Sequence, residues 1–145
     1  MKRFLRCVCL LLALVIVFPF RAFAAEESSA RASNFFMSSS VYLDQKSSMI
    51  FDAWFEVAAV GTMDELGASV IKIQKSADNE NWTTMITYTK EKNSSLIDTN
   101  TLSHGNCVTY TGVAGYYYRA YIKLYAKKGN NVGEWDRYTK SILLG

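Results

Sequence analysis

The residues best suited to binding chemistry form one alternating row near the end of the sequence. Tyr117, Arg119, Tyr121, Lys123 and Tyr125 are each separated by a single residue. On a β-strand such side chains project from one face, about 7 Å apart. Tyrosine rings and the cations between them can stack against and hydrogen-bond to sugars or extended peptides, so the row predicts a binding surface. The alternative, favoured because such rows are common on sheets, is a face whose aromatic and cationic side chains cover one another.

Trp54 is a second candidate ligand-binding residue, and its position has two interpretations. On a predicted strand over 49–60, Phe51 and Phe55 mark the apolar face, which places Trp54 on the opposite face together with two carboxylates. There it could join Tyr121 in one aromatic patch. If Trp54 belongs to the core instead, a bulge or strand twist must accommodate its acidic neighbours. The sequence leaves both interpretations open.

Asp64 and Glu65 form an acidic pair in a segment bracketed by Gly61 and Gly67, which we interpret as a loop. Paired carboxylates in a loop can serve acid–base chemistry or bind calcium. No third ligand or partner base is visible, so a solvated loop tip is the favoured interpretation.

The oxygen-rich segment 78–81 lacks the glycine and the final glutamate of an EF-hand loop, and we predict a hairpin turn there.

His104 is the single histidine, and a serine hydrolase would need it as the base. The sequence has no G-x-S-x-G motif, and the neighbourhood of His104 resembles a turn, so catalysis is the less favoured interpretation.

Cys107 is the single cysteine after the first 25 residues. We interpret it as a small, half-buried apolar residue, with an intermolecular disulfide or a reactive thiol as the alternative. We expect no catalytic residue, no metal and no cofactor.

Strands must position these candidates. The chain has 145 residues, of which 50% are hydrophobic and 14% aromatic, enough for one domain with a core. No 3.6-residue periodicity is sustained, and β-branched and aromatic runs alternate with turn clusters. We predict strands near 36–44, 49–60, 68–76, 82–89, 105–111, 116–127 and 134–144, with a long polar connection over 90–104. The expected fold is all-β, an antiparallel β-sandwich of about seven strands over 35–145.

The segment 1–24 predicts a signal-peptide helix rather than part of this fold. Three basic residues among the first six precede a 14-residue apolar run, and Ala22 and Ala24 follow in the A-x-A order of a cleavage site. Cleavage would leave Ala25 as the first residue, followed by a flexible lead-in over 25–34. We therefore expect a secreted, extracellular protein that has no membrane contact after cleavage.

Removal of that signal changes the charge balance. The whole chain has 16 basic and 13 acidic residues and a net charge of +3. Four basic residues and no acidic ones lie in the signal, which leaves 12 against 13 and a net charge of −1. Nucleic-acid binding requires clustered cationic charge, so we expect no nucleic-acid partner.

Three features resemble a fibronectin type III or immunoglobulin-like sandwich: Trp54 in the second strand, the hairpin over 71–82 and the stretch 116–119. The chain departs from that pattern because it lacks a cysteine pair and a proline-rich strand start. Over roughly 35–145 it also resembles a family of small secreted bacterial proteins with no assigned function. The segments that carry this likeness are 61–67, 76–82 and 113–120. The resemblance implies a bacterial, Gram-positive source and no particular activity.

Together these features predict a non-enzymatic extracellular binding module whose partner is a glycan or a protein surface. The candidate surface is the tyrosine row, with the segments 61–67 and 127–133 as secondary candidates. A self-associating structural or cell-surface protein, dimerising through exposed edge strands or Cys107, is one alternative. A small hydrolase using His104 is the other.

Overall fold

The computed structural model of the chain describes residues 34–145, and every long element in them is a β-strand. The strands are β1 (Phe36–Gln45), β2 (Ile50–Ser76), β3 (Thr83–Thr89), β4 (Ile97–Thr111), β5 (Tyr117–Lys128), β6 (Asn131–Tyr138) and β7 (Ile142–Leu143), with one 3-10 turn at Ser94–Leu96. All pairings between these strands are antiparallel. The predicted all-β class with seven antiparallel strands is therefore confirmed.

The N-terminal predictions fall outside the part of the chain that the structure describes. The expected signal peptide at 1–24 and its cleavage positions Ala22, Ala24 and Ala25 all precede residue 34. So does the lead-in over 25–34, except for its last residue. Within residues 34–145 no helix is long and apolar enough to cross a membrane.

β2 is the longest strand, with 27 residues, and it contains the segment 61–67 that we expected to be a loop. Glu65, in the middle of that segment, pairs with Thr99 of β4 on one side and with Lys127 of β5 on the other. The expectation of a loop is therefore wrong. The polar connection expected over 90–104 is strand in its second half, because β4 supplies one of these pairings.

β2 continues through this segment with irregularities in its pairing rather than turning back. The register of β2 against its partners shifts after Ala58 and again after Ala68, as bulges do. At Gly67 the backbone carbonyl of Leu96 occupies the place that a Cβ would take. Glycine is needed there because another chain segment approaches the β2 backbone closely.

The turn predicted over 78–81 is confirmed, and the structure shows a second tight turn between β5 and β6. The segment 78–81 connects β2 to β3, and the Asp78 carboxylate accepts hydrogen bonds from the backbone N–H groups of Glu80 and Asn81. Between β5 and β6, Lys128 pairs with Asn131 across a two-residue turn in which Gly129 has a φ of 58°. Glycine adopts this left-handed conformation without a steric penalty.

All seven strands are hydrogen-bonded into one sheet, whereas the predicted sandwich has two. The bends in β2 divide the sheet into two parts. β1, residues 50–60 of β2 and residues 103–111 of β4 form the part that we call the three-stranded half. β3, residues 63–76 of β2, β5 and β6 form the four-stranded half.

The curled sheet brings the inner faces of the two halves together around one core. The centres of the Phe51 and Tyr118 rings are 5.4 Å apart, and those of Phe36 and Trp135 are 5.8 Å apart. On β5 the predicted alternation is confirmed, since every inner side chain is at most 1% exposed: Tyr118, Ala120, Ile122, Leu124 and Ala126. Burial of apolar surface in this core is the principal stabilising contribution.

Candidate functional site

The tyrosine row lies on the outer face of β5, between β2 and β6. Its side chains are only partly accessible. Tyr125 is 8% exposed, and the other four, Tyr117, Arg119, Tyr121 and Lys123, are half-buried. What packs against the row therefore decides what the row can bind.

Lysines from neighbouring elements lie over two rings of the row. The Lys72 ammonium is 5.5 Å from the centre of the Tyr121 ring. The Lys90 ammonium is 3.7 Å from the centre of the Tyr125 ring and also donates a hydrogen bond to Glu65. Both are cation–π contacts, so these two rings already have the partner that a ligand would otherwise supply.

Arg119, the second residue of the row, contacts two rings that sequence reasoning did not single out. Its guanidinium carbon is 4.3 Å from the centre of the Trp82 ring and 4.7 Å from that of Tyr138. Its Nε donates to Gln74 Oε1 at 2.8 Å. Tyr138 is 56% exposed and is the aromatic ring of this cluster most open to solvent.

The hydroxyl of Tyr121 is also engaged, because it donates to Asp136 Oδ1 at 2.8 Å. Burial raises the pKa of Tyr121, and the hydrogen bond to the Asp136 carboxylate raises it further. Tyr121 is therefore a neutral donor whose hydrogen bond is made within the sheet. The row has the geometry of the second interpretation, in which aromatic and cationic side chains cover one another.

Trp54 lies on the outer face of the three-stranded half, between Tyr42 of β1 and Cys107 of β4. It is half-buried, and its ring is nearly parallel to that of Tyr42, with centres 6.3 Å apart and planes 9° apart. Tyr121 pairs with Lys72, 18 residues beyond Trp54 on β2, so the two aromatic residues do not form one patch. Among the described residues, the Nε1 of Trp54 is the one buried side-chain polar atom without a hydrogen-bond partner.

A groove of about 680 Å³ crosses the same outer face beside Trp54. The residues that line it are mainly small or hydroxyl-bearing: Ser38, Ser39, Ser40, Trp54, Glu56, Val57, Ala58, Ser103, His104 and Gly105. Glu56 leans over Gly105, since a Cβ at that glycine would lie 3.3 Å from Glu56 Cγ. The groove thus combines an indole wall, a carboxylate and several hydroxyl groups.

Sequence reasoning singled out only Trp54 and His104 among the groove residues. The serines come from β1 and β4, and both strands pair with the same part of β2: Ser38 and Ser103 are each opposite Ala58. The run of three serines at 38–40 is a visible signal of a polar surface. Only the register of the three strands shows that this surface adjoins Trp54.

His104 borders the groove, but its ring is held by the turn that precedes β4. Its Nε2 lies 3.0 Å from the carbonyl oxygen of Ser95, which can only accept, so Nε2 carries the proton. The ring meets Phe55 edge-on, with centres 5.5 Å apart. Within residues 34–145 His104 makes no hydrogen bond to a carboxylate or a side-chain hydroxyl, and its contacts are those of a structural donor.

Asp64 and Glu65, the pair expected on a loop, lie on β2 and are bound to neighbouring donors. The backbone N–H of Gly129 donates to Asp64 at 2.6 Å, and this bond is the largest cause of the lowered pKa of Asp64. Hydrogen bonds from Lys90 and Lys127 lower the pKa of Glu65. The two carboxylates tie β2 to its neighbours, and residues 34–145 contain no cluster of three or more potential metal ligands.

Cys107 is half-buried next to Trp54 and forms no disulfide with another described residue. Burial raises the pKa of its thiol, and the charge of Asp52 raises it further. A thiol with a raised pKa stays protonated at neutral pH and is a poor nucleophile. These surroundings favour the interpretation of Cys107 as a small apolar residue.

Comparison with known proteins gives a structural likeness at low sequence identity. No family model matches the sequence, and no curated protein matches it. The crystal structure of Spo0M, a sporulation control protein from Bacillus subtilis, is similar with a TM-score of 0.41 and 9% sequence identity. The match covers 70% of this chain and 47% of Spo0M, so the chain spans about half the length of that protein.

Proposed function

We propose that the protein is a non-enzymatic extracellular binding module and that its groove on the three-stranded half holds a glycan. The observation that carries the proposal is the position of Trp54. Its ring borders the groove, and its Nε1 has no partner among the described residues. A buried donor without a partner costs about 1–3 kcal/mol, and a ligand acceptor that reaches Nε1 after a small movement of the side chains covering it would remove that cost.

The groove offers the contacts by which saccharides are held. The ring of Trp54, which stacks against Tyr42, provides the apolar surface in the groove lining that a pyranose ring can contact. The Glu56 carboxylate accepts hydrogen bonds from sugar hydroxyls, and the serine hydroxyls both donate and accept. Because Glu56 would repel an acidic sugar, we expect a neutral or amine-bearing saccharide.

The tyrosine row is a weaker candidate for the same function. Lys72 and Lys90 already lie over two of its rings, and the Tyr121 hydroxyl already has an acceptor. A ligand would have to displace these contacts before making its own. In the groove, the Glu56 carboxylate accepts one long hydrogen bond, from the Tyr42 hydroxyl at 3.4 Å, and no cation lies over the Trp54 ring within the described residues. Fewer contacts would have to be displaced there, and for this reason we place the glycan in the groove.

Three further expectations belong to this proposal. The basic start, apolar run and A-x-A order of residues 1–24 support export, which would place the domain outside the cell. The packing of the two halves around one core supports a relationship to immunoglobulin-like or fibronectin type III-like sandwiches, with one continuous sheet providing both layers. The net charge of −1 after cleavage supports the absence of a nucleic-acid partner.

The test is retention of the purified protein on immobilised oligosaccharides, using oligomers of N-acetylglucosamine as the neutral probe and of glucosamine as the amine-bearing probe. We expect wild-type protein to bind at least one of them. Trp54→Ala should weaken binding about tenfold or more, because it removes both the stacking ring and the donor. Trp54→Phe keeps a ring and removes only the N–H, so it should give an intermediate loss.

Tyr121→Phe is the matched control, since it changes an aromatic residue outside the groove. It should leave retention unchanged, and circular dichroism should show that every variant keeps its sheet. Binding of neither probe, or binding that Trp54→Ala does not affect, would contradict the proposal. Loss of binding in Tyr121→Phe alone would transfer the site to the tyrosine row.

The hydrolase alternative has less support. Nε2 of His104 is occupied by the Ser95 carbonyl, and a base for acyl transfer would need a serine hydroxyl within hydrogen-bond reach. Incubation of the N-acetylglucosamine oligomers with the protein tests this alternative, because release of acetate from their N-acetyl groups that disappears in His104→Ala would establish acyl transfer to water.

A further inference from the structure

The strands of the three-stranded half carry three carboxylates and no lysine or arginine. Asp52 and Glu56 have the sequence parity opposite to that of the buried Phe55 and therefore point to the outer face, and Asp44 is paired with Asp52. Glu56 is exposed, whereas Asp52 is 8% exposed and accepts a hydrogen bond from Thr109, so it contributes charge beneath the surface. Lys46, directly after β1, forms ion pairs with both aspartates. Three carboxylates against one cation give this acidic face a net charge of −2.

The outer face of the four-stranded half has the opposite charge. It carries five cations, namely Lys72, Lys90, Arg119, Lys123 and Lys127, and three carboxylates, namely Glu65, Glu134 and Asp136, which gives it a net charge of +2. Within residues 34–145, Lys72 and Arg119 form no ion pair. They lie over aromatic rings, which hold them in place without cancelling their charge.

We propose that a second copy of this chain binds head to tail, with its cationic face against the acidic face of the first. The two faces carry charges of equal size and opposite sign. Each also presents a partly exposed tyrosine, Tyr42 at 39% and Tyr138 at 56%, and tyrosine is enriched where proteins meet. Opposite potentials speed the encounter of two surfaces and fix their orientation.

The charges also determine the symmetry of the contact. Two acidic faces or two cationic faces would repel each other, which disfavours a closed dimer with identical surfaces in contact. A contact between unlike faces is heterologous, so it repeats along a row of copies or closes into a ring. Because the groove opens on the acidic face, a copy seated there would cover it, and the association is best measured without saccharide.

The experiment uses two variants that each disable one face. Lys72→Glu lowers the charge of the cationic face from +2 to 0, and Glu56→Lys raises that of the acidic face from −2 to 0. Sedimentation velocity should show that wild-type protein gains mass with concentration at about 20 mM salt and returns to a monomer at about 500 mM, where charges are strongly screened. Each variant alone should be a monomer at low salt.

The equimolar mixture is the decisive measurement. The intact cationic face of Glu56→Lys should bind the intact acidic face of Lys72→Glu, giving a dimer that cannot grow further. Wild-type protein that stays monomeric at low salt, or a mixture that stays monomeric while wild type associates, would overturn the proposal.

Two controls distinguish a contact between charged faces from a disulfide and from misfolding. Cys107→Ser preserves the charge of both faces and should associate like wild type, whereas loss of association in that variant would assign the contact to a disulfide and overturn the proposal. If Lys72→Glu does not fold, Lys72→Gln lowers the face to +1 and should still shift the association to higher concentration. Lys72 lies outside the groove, so failure here leaves the retention of oligosaccharides unaffected.

Discussion

The two outer faces of this protein use aromatic residues in opposite ways. On the four-stranded half, cations lie over Tyr121 and Tyr125, and Arg119 lies between two further rings. On the three-stranded half, Trp54 has a ring beside it but no partner for its N–H among residues 34–145, and the small residues next to it leave a groove. In the tyrosine row the aromatic and cationic side chains contact one another, whereas beside Trp54 the small side chains leave the groove that we propose as the ligand site.

The largest effect should come from filling the space at Gly67 of β2, inside the four-stranded half, where Leu96 approaches the strand closely. In Gly67→Ala the new Cβ would overlap the backbone carbonyl of Leu96, and a backbone atom cannot move aside cheaply. We expect the free energy of unfolding to fall by about 3 kcal/mol, measured by urea denaturation. Gly61→Ala is the control, because no atom of residues 34–145 lies within 4 Å of its Cβ position, and it should change stability by less than about 1 kcal/mol. Equal effects at both glycines would show that the close approach of Leu96 does not determine the stability of this part of β2.

The difference between these glycines also explains what the sequence could predict. The outward and inward residues of β5, and the placement of Trp54 opposite the Phe51 and Phe55 face, follow from a period of two within one strand. The continuity of β2 does not, because glycine is equally typical of loops and of close backbone approach. The atom that fills the space at Gly67 belongs to Leu96, which is distant in the sequence.

The groove was beyond prediction for a related reason. Its walls come from β1, β2 and β4, and their side chains meet only because Ser38 and Ser103 share Ala58 as a pairing partner. Register is set by bulges and by the whole sheet, and neither is visible in a local pattern. The tyrosine row, in contrast, follows from a pattern within one segment of the sequence. The lysines that cover its rings lie elsewhere in the chain.

A smaller effect should follow from opening the covered face. Arg119→Ala removes two cation–π contacts and the hydrogen bond to Gln74, so we expect a loss of about 1–2 kcal/mol of stability with no change in oligosaccharide retention. Thermal denaturation and the retention assay measure the two quantities. Arg119→Lys keeps the charge but loses the planar stacking, and it should lie between wild type and alanine. If Arg119→Ala lost oligosaccharide retention while its stability was unchanged, the tyrosine row and not the groove would be the binding surface.

The smallest effect on stability, and the sharpest test of the groove, is expected from Gly105→Ala. A Cβ there lies 3.3 Å from Glu56 Cγ and 3.3 Å from the Phe55 carbonyl oxygen, which is tight without being an overlap. Alanine in a strand is favoured over glycine by about 0.5–1 kcal/mol, and this offsets most of the crowding. The free energy of unfolding should therefore change by less than about 0.5 kcal/mol.

Gly105→Ala should displace the Glu56 side chain, because this side chain can move more easily than the Phe55 backbone, the other close neighbour. If the carboxylate is a sugar ligand, its displacement should weaken oligosaccharide binding about threefold although the sheet is intact. Glu56→Gln, which keeps the shape and removes the charge, should weaken the glucosamine oligomer more than the N-acetylglucosamine oligomer. Unchanged retention together with a clear loss of stability would make Gly105 a packing glycine like Gly67, and the small residues of the three-stranded half would then serve the fold and not a ligand.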